Sequence, residues 1–294
     1  MSTVAKKSSK KARSGEPGVS SERRWPSNRR RFVSAVLIIV ITVAGSLFLW
    51  RKVQRHVASQ PEYLVAVEDI EVTPHPEWIH ADIKADVIRD AGLKKQISIL
   101  DESTPQRISD AFAMNPWVDS VTGVHTSYPA HIKVDLVYRR PVAMVAVPGG
   151  LLPIDAQGIL LPTAGFSTPE AQSYPRIVGV TSIPRGLVGT PWGDVAVERA
   201  AKLAVFLQDA WRSLRLRQIE VLPANIETPN EAGLQVITRS GTAFYWGAAP
   251  GEESEGEVKA TDKLARLTQL VCESKSLDAA PKQQRDLRIP VLVH

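Results

Sequence analysis

The 294-residue chain holds one cysteine, Cys272. A lone thiol excludes an intramolecular disulfide framework and a cysteine-rich metal module. The six histidines (His56, His75, His80, His125, His131 and His294) form no H-E-x-x-H pattern and no other ligand pair on a helix. His75 and His80 are five positions apart across a proline-bounded turn, which is a poor frame for a metal ion. The G-x-S-x-G elbow and the G-x-x-x-x-G-K loop are both missing. Gly149-Gly150 reads as a hairpin turn, not a phosphate cradle. Asp101-Glu102 and Glu252-Glu253 read as solvated loop acids, and Cys272 as a thiol packed near the apolar face of a helix. No catalytic, metal-ligating or cofactor-binding residue is expected, and neither is a small-molecule substrate.

A nineteen-residue stretch, Phe32–Trp50, lacks charge altogether. As a helix it would reach about 28 Å, close to the hydrocarbon thickness of a bilayer. A soluble core helix would normally keep one polar face, and this segment has none. A cleaved signal peptide would end in a small-residue site, whereas the run closes on Trp50-Arg51-Lys52. Arg29-Arg30-Arg31 loosely fits a twin-arginine export signal, but arginines before an anchor are ordinary topology signals.

With 44% hydrophobic and 23% charged residues the chain can bury a core. Its formal charge of +5 suggests nucleic acid until the charges are located. Residues 1–31 hold ten Lys/Arg against Glu16 and Glu22, a net of +8; residues 51–294 carry 26 Lys/Arg and 29 Asp/Glu, a net of −3. The basic excess belongs to a tail too poor in apolar residues to fold, so residues 1–31 are expected to be disordered. The positive-inside rule then puts that tail in the cytoplasm and everything after Trp50 on the far side of the membrane. No nucleic-acid partner is needed to explain the charge.

Beyond a linker at 51–65, period-two alternation predicts a strand at Asp69–Thr73, and helical spacing links Ile79, Ile83, Val87, Ile88 and Ala91 ahead of Gly92. A second helix opens at Ser103 or Thr104 with Pro105 in its first turn and stops before Asn115-Pro116. Strands follow at Val118–His125 and Ile132–Tyr138, separated by a turn at Ser127-Tyr128-Pro129. This order packs two helices on one face of a small sheet. A meander is then predicted through Ala143–Val147, Leu151–Ile154 and Ile159–Pro162, with a further strand at Arg176–Val180. Asp194 caps a long helix running to about Leu214, with Val197, Ala200, Leu203, Ala204, Leu207, Trp211 and Leu214 inward. Strands at Gln218–Leu222, Gly233–Thr238 and Thr242–Trp246, an acidic loop at Ala248–Gly256, a helix at Thr261–Glu273 and a short strand in Asp286–Val293 complete the pattern.

Residues Val67–Ala143 resemble a POTRA (polypeptide-transport-associated) module, through the strand–helix–helix–strand–strand order, Asn115-Pro116-Trp117-Val118 and Tyr128-Pro129. The following Arg139-Arg140-Pro141-Val142-Ala143 and Leu152-Pro153-Ile154-Asp155-Ala156-Gln157-Gly158 resemble the joint and first hairpin of the bacterial cell-division family FtsQ/DivIB. The resemblance implies an α+β protein with a single N-terminal transmembrane helix at 32–50. A POTRA domain (β-α-α-β-β) at 66–141 and a mixed β domain with flanking helices at 142–294 would follow. It also implies a non-enzymatic bitopic scaffold at the division site, holding small bitopic proteins such as FtsB and FtsL by strand addition at the end of the β domain. Carried onto this sequence, the partner-binding residues are Phe244, Tyr245, Trp246, Asp286, Leu287, Arg288 and Ile289. The POTRA-like segment taken alone would equally suit a component of a protein translocation or secretion assembly.

Overall fold

In a computed structural model, residues 27–58, 60–223, 233–280 and 282–289 are described. Most of the expected disordered tail, residues 1–26, lies outside them. The first helix, α1 (Ser27–Ala58), contains an apolar stretch at Phe32–Val53 whose large side chains are exposed. Its 22 residues would reach about 33 Å, enough to cross a bilayer. The Thr42 hydroxyl donates back to the carbonyls of Ile38 and Ile39 at 2.8 and 2.9 Å, so it is satisfied without water. The helix outruns the chargeless segment at both ends because no glycine or proline interrupts Ser27–Ala58 except Gly45. Residues 51–58, expected within a linker, are therefore helical.

The residues beyond α1 form one compact α+β unit with two hydrophobic cores. The first core belongs to the segment expected to be POTRA-like. Strand β1 (Leu64–Ala66) pairs antiparallel with β3 (Gln96–Ser98), a small ladder that sequence periodicity did not reveal. A second sheet has the order β2 (Glu71–Val72), β5 (His131–Tyr138), β4 (Val118–Ser127), with β2 parallel and β4 antiparallel to β5. Between the strands lie α2 (Ile83–Asp90) and α3 (Thr104–Ala113). Asp82 caps α2 by accepting from the Ala85 amide, so Ile79 is buried but precedes the helix. Gly92, at φ +57°, stands just beyond the helix end in the left-handed conformation that favours glycine.

The second core lies against a six-stranded sheet ordered β11-β10-β9-β8-β6-β7. Its strands are β6 (Ala143–Val147), β7 (Gly150–Ile154), β8 (Arg176–Val178), β9 (Leu216–Val221), β10 (Leu234–Thr238) and β11 (Ala243–Gly247). The β6–β8 and β8–β9 pairs are parallel and the others antiparallel, so the sheet is mixed. The expected strand at Ile159–Pro162 makes only isolated bridges at Ile159 and Leu160, because Leu161 turns away to join the first core. Helix α4 (Thr168–Ser173) was not expected, although Ser167, which accepts from the Glu170 amide, forms the start of an S-x-x-E cap. Helix α5 (Val195–Phe206) opens at Asp194 as expected but stops eight residues short of Leu214. Leu207, Trp211 and Leu214 are still buried by the turns that follow, so burial periodicity outlasts the helix itself. Helix α6 (Ala260–Ser274) exposes Cys272, so the packed thiol inferred from sequence is corrected.

Candidate functional site

The sheet ends at β11, and on its outer side the chain returns. Among the described residues the edge is engaged through a single parallel bridge between Tyr245 and Asp286, where the Leu287 amide donates to the Tyr245 carbonyl at 3.0 Å. Two further bonds hold the returning segment: the Val258 amide donates to the Arg288 carbonyl at 3.1 Å, and Arg266 Nη1 to the Ile289 carbonyl at 2.7 Å. The final strand expected in Asp286–Val293 is reduced to this bridge, and residues 290–293 lie outside the described residues.

Side-chain alternation divides the seven residues singled out from sequence. Phe244, Trp246 and Leu287 are buried in the second core, where they anchor the edge. They can meet a partner only through their backbone. Tyr245 and Asp286 are half-buried, while Arg288 and Ile289 are exposed, Ile289 to 60%. The Arg288 guanidinium stacks 4.0 Å from the centre of the Tyr245 ring. It also grips Asp286 with a fork, Nη2 to Oδ2 at 2.9 Å and Nε to Oδ1 at 3.1 Å. Burial opposes ionisation of Asp286, but the bonds and charge of Arg288 prevail and hold its pKa below the ordinary carboxylate value. The same fork raises the Arg288 pKa.

Glycines shape this surface. Tyr245 carries its hydroxyl over Gly233, where any Cβ would collide with it. Gly247 has φ +92°, and a Cβ there would strike Glu257 Oε1 and crowd Arg288 Cγ at 2.8 Å. Beneath the edge lies a feature that sequence reading missed. Lys263 is fully buried, 2.5 Å from Glu257 and 5.3 Å from the centre of the Trp246 ring. Glu257 Oε1 also accepts from the Ala248 amide at 3.0 Å. The sequence did carry the sign: Lys263 falls on the inward stripe of α6 between Ala260 and Leu267.

The loop before α6 also corrects the sequence reading of its acids. Glu252 bridges Arg199 Nε at 2.7 Å and Lys202 Nζ at 2.5 Å on α5, and Glu253 accepts from the Ala260 amide at 2.9 Å. Lys202 is the largest influence lowering the Glu252 pKa. Both carboxylates are half-buried and tie the loop down.

Among the described residues, no group of three or more His, Cys, Asp and Glu side chains is placed to hold a metal ion. The arrangement at β11 offers backbone groups on a sheet edge beside an aromatic–cation–carboxylate cluster, which suits strand addition with side-chain selection.

No family model and no curated protein matches the sequence. Among solved structures, the chain is similar to the trans isomer of the major extracytoplasmic domain of the bacterial cell division protein DivIB from Geobacillus stearothermophilus, at 17% identity and a TM-score of 0.28, over 49% of this chain and 98% of that one. A likeness of that size carries no weight for the role of this chain.

Proposed function

We propose that this protein is a non-enzymatic, single-pass scaffold of the bacterial cell-division machinery. In this reading α1 spans the inner membrane, the basic tail stays in the cytoplasm, and the unit beyond α1 works on the outer side. The scaffold holds small bitopic division proteins of the FtsB and FtsL kind by adding one of their strands beside β11 and the 286–289 segment. The observation that supports this most is a sheet edge carrying the half-buried Tyr245 and Asp286 and the exposed Arg288 and Ile289, backed by the buried anchors Phe244, Trp246 and Leu287. Such an edge gives affinity through main-chain bonds, while its side chains choose the partner. The order of basic tail, apolar span, POTRA-like unit and mixed sheet adds to the same reading.

A pull-down from membranes in mild detergent tests it, comparing the full-length chain with Arg288→Glu and Ile289→Asp. Capture of a small bitopic division protein should be lost in both, and the thermal midpoint of Ile289→Asp should hold because that side chain is exposed and carries no ion pair. Retained capture in both variants, or uniform membrane fluorescence of a tagged copy in normally dividing depleted cells, would overturn the proposal. Co-purification with an outer-membrane barrel and no division protein would favour a translocation role instead.

A further inference from the structure

Two cavities of about 440 and 460 Å³ adjoin one another and share Ser173, Tyr174 and Trp211 in their walls. Together they form a groove at the end of the sheet where β8 and β9 begin and β10 ends, and none of the seven residues of the β11 site lines it. Five arginines line it: Arg176, Arg217 and Arg239 in the first cavity, Arg140 and Arg212 in the second. Against them stands one acid, Asp209, and the lining contains no lysine. None of the five forms an ion pair among the described residues. This concentration is notable because residues 51–294 as a whole carry a net −3.

We propose that this groove binds an acidic peptide segment of a partner protein. Uncompensated guanidinium groups along low-dielectric walls focus a positive potential into the cleft. An all-arginine lining favours carboxylates, since the planar fork matches them with two parallel hydrogen bonds and a lysine ammonium does not. The groove is concave, whereas adsorption to an anionic lipid surface needs a basic face that can lie against a plane. Gln208, Gln172 and Ser173 add neutral donors and acceptors of the kind a peptide backbone uses. Tyr174 lies between the two cavities and makes an edge-on contact with Phe166 at 6.1 Å, which fixes the wall. This inference stands apart from the β11 edge and from the division-protein reading.

The experiment uses the full chain in nanodiscs of neutral phosphatidylcholine, with a fluorescent poly-glutamate peptide as the probe. The peptide should bind saturably, and rising salt should weaken the complex. Arg217→Glu with Arg239→Glu, both exposed, should weaken it about tenfold or more, the scale of losing one charge-assisted contact. Lys94→Glu with Lys95→Glu makes the same change of net charge on an exposed surface elsewhere and should leave binding within about twofold. Thermal midpoints of both doubles should match the parent. Equal weakening by the two doubles, or no saturable binding of poly-glutamate, would overturn the proposal. So would capture by phosphatidylglycerol vesicles that Arg217→Glu with Arg239→Glu abolishes while binding of poly-glutamate is unchanged.

Discussion

Arg139 and Asp155 meet at 2.7 Å, with the guanidinium side chain 13% exposed and the carboxylate 3%. The same Arg139 Nη1 reaches Asp119 Oδ1 at 2.9 Å, so one arginine joins β4 to the turn after β7. Its carbonyl accepts from Trp78 Nε1 at 3.1 Å, and Arg140 lies 5.6 Å from the Trp78 ring centre. The joint between the two cores is thus a buried charge cluster, not a free hinge. Arg139→Ala would leave Asp155 buried without its cation and should lower stability by about 3–5 kcal/mol. Asp119→Ala removes only the more exposed partner and should cost about 1 kcal/mol or less. Chemical-denaturation midpoints of the two variants measure the difference.

Lys263 and Glu257 support the β11 edge in the same way. Lys263→Met strands a carboxylate that also anchors the Ala248 amide, with an expected loss of about 3–5 kcal/mol. Adding Glu257→Gln should recover part of that loss, because the neutral amide can still accept from Ala248. Hydrogen exchange at the Leu287 amide should quicken in the single variant and slow again in the double.

Leu287 and Ile289 are close neighbours with opposite expected effects. Leu287→Ala empties a site in the second core and should cost about 2–5 kcal/mol. Ile289→Ala, at an exposed position, should stay within about 0.5 kcal/mol. Thermal unfolding of both variants checks this, and similar losses would contradict the burial pattern.

Asp278 gives a pH dependence with a definite sign. Its carboxylate accepts from Thr238 Oγ1 at 2.7 Å and from Ser276 Oγ at 3.0 Å. The Thr238 bond is the largest cause, and burial opposes it without prevailing, so the pKa falls to about 2. A depressed carboxylate pKa contributes stability that is fully present above the unfolded value near 3.9 and is lost as pH falls toward about 2. Asp278→Asn should flatten stability across that window. Thr238→Val should narrow the window by letting the pKa rise toward its ordinary value. Unfolding midpoints titrated from pH 5 to about 2 report both effects.

Sequence reading reached furthest where one local signal settled an element. Pro105 in the first turn of α3, Asp194 before α5 and Gly92 after α2 each marked a boundary that the structure keeps. It fell short where burial and secondary structure part company. Leu207, Trp211 and Leu214 keep helical spacing through irregular turns, and the chain leaves the helix without a glycine, using Arg215 at φ +52° before β9. The β1–β3 ladder has only three paired positions, too short for alternation to register. At the candidate site, the aromatic pattern of β11 was legible, but its division into anchors and surface was not. That division follows from the register with β10, where Gln235 opposes Tyr245 and the pairing slips before Leu234 meets Gly247, leaving Trp246 as the extra residue. The arginine groove gathers positions from Arg140 to Arg239, and no linear window contains it.

Leu161 is fully buried in the first core, and Phe166 packs against that core with its ring 6.2 Å from Trp117. Both residues come after β7, well past β5, the last strand in sequence of the three-stranded sheet. The first core therefore draws on residues beyond Pro141. A graft or truncation cut near Pro141 would open a hole in the donor's core and leave an orphaned apolar side chain on the remainder. A transplant that keeps this core filled must carry the segment through Phe166.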